Sequence, residues 1–167
     1  MLAREAFRLI KKIPEYVNTT EYLAVATALD RVHLYDVRDQ VLKLATQKVD
    51  KTEKWEVWRL WAWLSFNAGS PGYARTLFAY AEHVASSVHL QWAVWDTTYW
   101  WGQVELQGAR LDAKNCYWAK KQVTALRSSE SQMDPQRLQN VHNLEVDFHA
   151  KCAQAGSRAA AKPARHY

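Results

Sequence analysis

The chain is poor in glycine, proline and cysteine. Its 167 residues include five glycines, four prolines and two cysteines. The shortage of glycine and proline argues against a fold with many tight β-turns and favours long helices. Two cysteines, Cys116 and Cys152, are too few for a disulfide framework, and no secretory signal peptide is recognisable. The sequence therefore predicts a reducing or organellar interior.

Long apolar runs and catalytic motifs are also missing. The best candidate for a membrane span is the tryptophan-rich segment that begins at Trp55, and Glu56 and Arg59 interrupt it. We therefore expect no membrane span. The sequence has no glycine-rich phosphate loop, no G-x-S-x-G, no C-x-x-C and no H-E-x-x-H. The expectation is a protein that is not an enzyme and carries no cofactor.

Positive charge is concentrated at the two ends of the chain. The formal net charge is +5, while residues 1–12 contribute +3 and residues 151–167 contribute +4, which leaves the body slightly acidic. This distribution excludes a uniformly basic nucleic-acid-binding body. It permits RNA contact through basic terminal arms.

The first segment, MLAREAFRLIKKI, is compatible with a basic amphipathic helix. Such a helix is typical of mitochondrial import signals, although Glu5 is atypical and serine is absent. The alternative is a first helix with a solvated basic face. The expected location is mitochondrial, and otherwise cytoplasmic.

The chain is rich in tryptophan, with nine, and in helix-terminating signals. Ser70-Pro71 and Asp134-Pro135 pair a capping side chain with a proline at the first helical position. Gly69 is placed where a helix should stop. The predicted helices span residues 3–12, 20–33, 36–48, 52–68, 71–86, 88–107, 110–127 and 134–154.

An internal pattern of large and small residues lies at the centre of the chain. It consists of Trp58, Trp61 and Ala62 in one helix, Gly69 at the turn, and Ala74, Phe78 and Ala81 in the next helix. This pattern resembles the tetratricopeptide repeat, a helix–turn–helix unit. The final proline of the repeat is missing, because Ser86 stands in its place.

Weaker copies flank this one. The next comprises Trp92, Trp95, Tyr99, Gly108, Ala113 and Tyr117, with about five extra residues in its first helix, and Asp96 replaces the expected small residue. An earlier copy comprises Tyr22, Val25, Ala26, Leu29, Leu42 and Ala45. Val141, Leu144 and Phe148 are the possible start of a fourth.

The resemblance implies an all-α fold of antiparallel helix pairs, stacked as a short tetratricopeptide-like α-solenoid of about three pairs plus flanking helices. A plain helical bundle is the alternative. The predicted organisation is a basic N-terminal arm at 1–19, a repeat domain at 20–154 and a basic, alanine-rich tail at 155–167.

Two clusters are candidate chemical sites. His142, Glu145, His149 and Cys152 share one face of the last helix, but they extend about 15 Å along it, too far to hold one ion together. The alternative is that they flank an apolar stripe. A cysteine–histidine nucleophile pair is a second hypothesis, although Cys116 resembles a buried small hydrophobic residue. We therefore expect no metal site and no catalytic residue.

The remaining candidates are partner-binding residues, either surplus tryptophans or basic side chains. They are Trp63, Trp100, Trp101, Trp118, Arg110, Lys114, Lys120, Lys121, Arg158, Lys162 and Arg165. The basic residues after Gly108, which include Arg127 and are mixed with Tyr117 and Trp118, could contact RNA phosphates and bases, and a solvated helix face is the alternative. Repeats of this kind are non-catalytic protein-binding scaffolds, so we expect a structural subunit of a large assembly that contacts other protein subunits. An organellar ribosome or other ribonucleoprotein is the first hypothesis. An accessory subunit of a respiratory or ATP-synthase complex, or a free peptide-binding adaptor, is the alternative.

Overall fold

The computed structural model describes the backbone of residues 2–108 and 111–160, and the side chains of residues 4–108 and 111–153. The described residues form eight α-helices and two short 3-10 helices, and none of them lies in a strand. The α-helices are α1 (Leu2–Lys12), α2 (Thr19–Arg31), α3 (Tyr35–Lys48), α4 (Lys54–Asn67), α5 (Pro71–Ser87), α6 (Gln91–Glu105), α7 (Ala113–Arg127) and α8 (Pro135–Ala160). The all-α prediction and all eight predicted helices are confirmed.

Three predicted helix ends are displaced by more than two residues. Helix α7 begins at Ala113, three residues later than predicted. Helix α6 begins at Gln91, three residues later than predicted, because His89 adopts a left-handed conformation after α5. Helix α8 continues to Ala160, beyond the predicted end at residue 154. The alanine-rich sequence explains this extension, since alanine has the highest helix propensity and the single Gly156 costs only about 1 kcal/mol. The rest of the predicted tail, residues 161–167, lies outside the described residues.

The chain divides into two compact units, residues 1–94 and 95–167. In the first unit, α2 packs against α3 and α4 packs against α5. The α4–α5 hairpin buries Ala62, Ala74, Phe78 and Ala81 completely. Small and large side chains alternate at these positions as the predicted repeat requires, so the packing of this helix pair is compatible with a helical repeat.

The predicted register of the following copy is wrong. Tyr117 was aligned with the buried aromatic position, yet it is 61% exposed. The buried apolar residues of α7 are instead Ala119, Val123 and Leu126, which reproduce the spacing of Ala74, Phe78 and Ala81. Helix α7 begins at Ala113, later than predicted, so counting from Gly108 places the wrong face inward.

Three helices of the first unit end in the same way. After α2, α4 and α5, the residues with positive φ are His33, Gly69 and His89. In each case the next N–H donates to a carbonyl five residues back, as Leu90 does to Ala85 at 3.0 Å. This arrangement is the Schellman motif, in which glycine is the preferred left-handed residue because it has no Cβ.

Glycine at position 89 is expected to stabilise the first unit. Histidine in the left-handed region costs about 1–2 kcal/mol, and the greater freedom of glycine in the unfolded chain offsets part of the gain. We expect His89→Gly to raise the free energy of unfolding by about 0.5–1 kcal/mol, measured by urea denaturation. Gly69→Ala is the matched control. It should lower stability although no atom lies within 4 Å of the added Cβ. Unchanged stability in both variants would contradict the assignment of strain to φ.

The second unit has its core between α6, α7 and α8. Its buried residues are Leu106, Ala119, Val123, Leu126, Met133, Val141 and Leu144. Gly102 allows a close approach in this core, since a Cβ at that position would lie 2.7 Å from a Leu144 methyl group. The small residue in α6 therefore makes room for the α8 side chain.

A disulfide between Cys116 and Cys152 joins α7 to α8. The interpretation of Cys116 as a buried small hydrophobic residue is thus wrong, since it is half-buried and bonded. The two Cα atoms lie 5.7 Å apart although 36 positions separate them in the sequence. Neighbouring helices that pack against each other bring such distant positions together, and sequence spacing alone does not reveal it.

Candidate nucleic-acid interface

Helix α7 has two contrasting faces. One is buried in the core of the second unit. Lys114, Tyr117, Trp118 and Lys121 lie on the other, at the i, i+3, i+4, i+7 spacing that defines one side of a helix. We call these four residues the α7 stripe. The helix contains four basic residues and no acidic one, so the stripe is positively charged.

Trp118 anchors the stripe to the body of the unit. Its ring stacks on buried Trp101, with ring centroids 5.3 Å apart and planes 21° from parallel. The Nζ atom of Lys121 lies 4.8 Å from the Trp118 ring centroid, which is cation–π geometry. These two contacts hold the half-buried Trp118 in place and orient Lys121 along the stripe.

Tyr117 is the exposed aromatic residue of the stripe. The edge-to-face contact of its ring with Trp118 spans 5.4 Å between centroids at an interplanar angle of 83°. With 61% of its surface exposed, Tyr117 keeps most of its ring accessible to a ligand. Lys114 and Lys121 lie on either side of Tyr117 along the helix, about 4.5 Å and 6 Å away in axial rise. No described residue forms an ion pair with either lysine.

A buried carboxylate fixes the elements beneath the stripe. Glu105 at the end of α6 is fully buried. Its Oε1 accepts from Trp101 Nε1 at 3.1 Å, and its Oε2 accepts from Asn115 Nδ2 at 3.0 Å. One acid thus ties the stacking partner of Trp118 to the first turn of α7. Buried charges are retained when they are hydrogen-bonded in this way.

The opposite face of α7 contains one polar residue that the core does not satisfy. Gln122 is 3% exposed, and its Nε2 has no hydrogen-bond partner among the described residues. In α5 and α3 the corresponding positions are the buried Leu77 and Val41. A buried amide without a partner lowers stability by about 1–3 kcal/mol.

Methionine at this position is therefore expected to stabilise the second unit. Gln122→Met keeps the length of the side chain and removes the unpaired amide, so we expect the free energy of unfolding to rise by about 1 kcal/mol. Thermal and urea unfolding of the full chain would measure it. Gln40→Met, at an exposed position of α3, is the control and should change little. A loss of stability in Gln122→Met would mean that the amide is paired after all.

Beside the core, Arg137 of α8 is held by two carboxylates. Its guanidinium donates to both oxygens of Asp96, at 2.9 and 3.0 Å, and also to Asp134. The hydrogen bonds to Asp96 are the main cause of the raised pKa of Arg137. The Arg137 backbone N–H, followed by its side chain, lowers the pKa of Asp134. Asp134 therefore stabilises the fold above about pH 4, and this contribution is lost as the pH falls through its lowered pKa.

A small crevice lies next to this pair. Its lining includes Trp95, Tyr99, Met133 and Asn140, and its free space is about 10 Å³. That is room for one water molecule and no more. The crevice is therefore too small for a substrate or cofactor.

The structure places the predicted partner-binding residues in different environments. Lys114, Lys120 and Lys121 are exposed on α7, Trp63, Trp100 and Trp118 are half-buried, and Trp101 is buried. Arg158 lies in the described backbone of α8, but nothing is described of its side chain. Arg110, Lys162 and Arg165 lie outside the described residues. The α7 stripe brings together Lys114, Trp118 and Lys121.

The sequence places Tyr117 with Trp118 among basic residues that could contact RNA, but the final set of predicted binding residues does not include it. It had been assigned to the core because the repeat pattern was aligned from Gly108. Its spacing of three residues from Lys114 and four from Lys121 was the signal that places it on the basic face.

The residues of the metal and nucleophile hypotheses lie on α8 and in the disulfide. His149 Nε2 lies 4.0 Å from Glu145 Oε1, and Cys152 is bonded to Cys116. Neither cysteine is a free thiol, so neither serves as a ligand or nucleophile in this state. Within the described residues, no three histidine, cysteine or acidic side chains are grouped to hold a metal ion.

No α-helix in the described part of the chain combines the length and apolar character that a membrane crossing requires. No protein-family profile, curated protein sequence or solved structure matches this chain.

Proposed function

We propose that this protein is a non-catalytic structural subunit of a large ribonucleoprotein, with an organellar, mitochondrial ribosome as the first candidate. The observation that carries the proposal is the α7 stripe, where exposed Tyr117 lies between two unpaired lysines. Positive side chains neutralise phosphates, and aromatic rings stack on bases, so this combination suits RNA.

The scaffold part of the proposal is a tetratricopeptide-like solenoid. It is supported by the α4–α5 hairpin, whose buried alanines and Phe78 follow the repeat pattern. In such an array each helix pair leaves an apolar face that the next pair covers, and the end faces remain for protein subunits. Exposed Trp92, Tyr73 and Tyr80 are suited to such contacts, since aromatic residues are enriched at interfaces.

The basic N-terminal segment supports the mitochondrial location. Arg4, Arg8, Lys11 and Lys12 lie in α1, where Ile10 is buried and the basic side chains are exposed. A helix with a basic face and an apolar face is typical of import signals. The same helix also supplies a basic arm for phosphate contact.

A second candidate is an accessory subunit of a respiratory or ATP-synthase complex. The Cys116–Cys152 disulfide favours it, because disulfides persist in oxidising compartments and are rare in reducing ones. This candidate predicts contacts with protein and lipid, and none with RNA.

Sedimentation of the tagged full chain separates these candidates. Gently lysed cells are run on a density gradient with and without ribonuclease. Co-migration with a large particle that ribonuclease collapses is the expected result. A large particle that resists ribonuclease would replace the first candidate with the second. Migration near the 19.4 kDa of the free chain would overturn both.

A further inference from the structure

We infer that the α7 stripe binds unpaired nucleotides, with one base stacked on Tyr117 and the flanking phosphates held by Lys114 and Lys121. This inference depends on the proposed RNA contact and specifies the kind of RNA. The two aromatic residues of the stripe, Trp118 and Tyr117, have different environments. Trp118 already stacks on Trp101 and lies under Lys121. Tyr117 contacts Trp118 only through an edge-to-face arrangement and is 61% exposed.

A flat, exposed ring selects single strands over duplexes. Bases in a helix are stacked on each other, and their faces are not accessible to a side chain. An unpaired base has a free face, and stacking on an aromatic side chain contributes about 1–3 kcal/mol per base. Such stacking tolerates every base, so we expect little sequence preference.

The positions of the lysines fit a backbone that runs along α7. Lys114 and Lys121 are seven residues apart on one side of the helix, about 10 Å in axial rise, with Tyr117 between them. Neither is paired with an acid of the described residues, and α7 itself contains none. Each lysine therefore has its charge available for a phosphate.

The stripe is also held rigid before any ligand arrives. The disulfide at Cys116, adjacent to Tyr117, fixes α7 to α8. Glu105 and Trp101 hold Asn115 and Trp118 from the α6 side. Because the platform is ordered in advance, binding loses less conformational entropy.

Fluorescence anisotropy with the full chain tests the inference. The probes are a labelled uridine 12-mer and a labelled blunt RNA duplex of the same length. We expect the single strand to bind more tightly, and Tyr117→Ala to weaken its binding about tenfold. Tyr117→Phe should bind nearly as the wild type does, since it keeps the ring. Tyr16→Ala removes another exposed tyrosine, in the first unit, and should have no effect.

The salt dependence supplies a second readout. Lys114→Ala should reduce the slope of log K against log salt by about 0.7, the value for one phosphate contact to a single strand. Lys43→Ala, an exposed lysine of α3, should leave the slope unchanged.

Three outcomes would overturn the inference. The first is that Tyr117→Ala binds the single strand as tightly as the wild type does. The second is that the wild type binds the duplex as tightly as the single strand, or more tightly. The third is that a glutamate 12-mer competes as well as unlabelled RNA does, which would mean that the stripe recognises negative charge alone. These failures are distinct from failure of the proposed function. If the protein sediments with a ribonuclease-sensitive particle but its RNA binding does not depend on Tyr117, only the inference is overturned. If RNA binding depends on Tyr117 but the chain sediments alone, only the structural-subunit proposal is overturned.

Discussion

Replacing both cysteines by serine is expected to lower the free energy of unfolding of the second unit by about 4 kcal/mol. The disulfide closes a loop with a sequence separation of 36 residues. Cross-linking a loop of this length removes unfolded-state entropy worth about 4 kcal/mol at 25 °C. Since domains are stable by only about 5–15 kcal/mol, this change is a large fraction of the total.

Urea denaturation of the wild type and Cys116→Ser/Cys152→Ser, followed by tryptophan fluorescence, measures this loss. The double replacement is preferred to either single one, because a single serine leaves a reactive thiol. Adding a reductant to the wild type should reproduce the loss, and adding it to the double variant should change nothing. The assignment fails if a thiol assay of the native, oxidised protein titrates two cysteines, or if stability is unaffected once reduction is complete.

Leu144→Ala is expected to cost about 3 kcal/mol, because Leu144 is completely buried in the core of the second unit and truncation leaves a cavity there. The effect of a change at Gly102 should then depend on what stands at position 144. In the wild type, the Cβ of Gly102→Ala would lie 2.7 Å from a Leu144 methyl group, so that side chain must move. With Leu144→Ala the obstacle is gone.

A double-mutant cycle isolates this dependence. Gly102→Ala should stabilise the Leu144→Ala background by about 1 kcal/mol, because alanine favours helix and partly fills the space. In the wild-type background the same change should be neutral or destabilising, since the strain offsets the gain in propensity. Equal effects of Gly102→Ala in both backgrounds would show that the two positions are not in contact.

The helices were predictable from the sequence, because helix-terminating residues and hydrophobic periodicity are local signals. Ser70-Pro71 and Gly69 marked the turn between α4 and α5, and the buried face of α5 followed from Ala74 and Phe78. The left-handed histidines were not predictable in the same way. His33 and His89 occupy positions where glycine is expected, so composition gave no warning of the helix ends.

The candidate site was only partly predictable, since it depends on the register of α7. The sequence identifies Lys114, Tyr117, Trp118 and Lys121 as residue types suited to RNA, but the repeat alignment assigns Tyr117 to the core and so leaves their common face unrecognised. The disulfide was not predictable from the sequence for a related reason. Pairing of Cys116 with Cys152 requires α7 and α8 to be neighbours in a particular register, and tertiary packing sets that register.

Two stacked tryptophan pairs give the protein intrinsic circular-dichroism signals. Trp58 stacks on Trp61 in the first unit, and Trp101 stacks on Trp118 in the second, each pair with centroids 5.3 Å apart. Indole rings this close couple their electronic transitions, which gives paired bands of opposite sign in circular dichroism. Each unit therefore has a stacked tryptophan pair of its own, and Trp58→Phe or Trp118→Phe would remove the signal of one stacked pair. The melting of each unit can then be followed without an added dye.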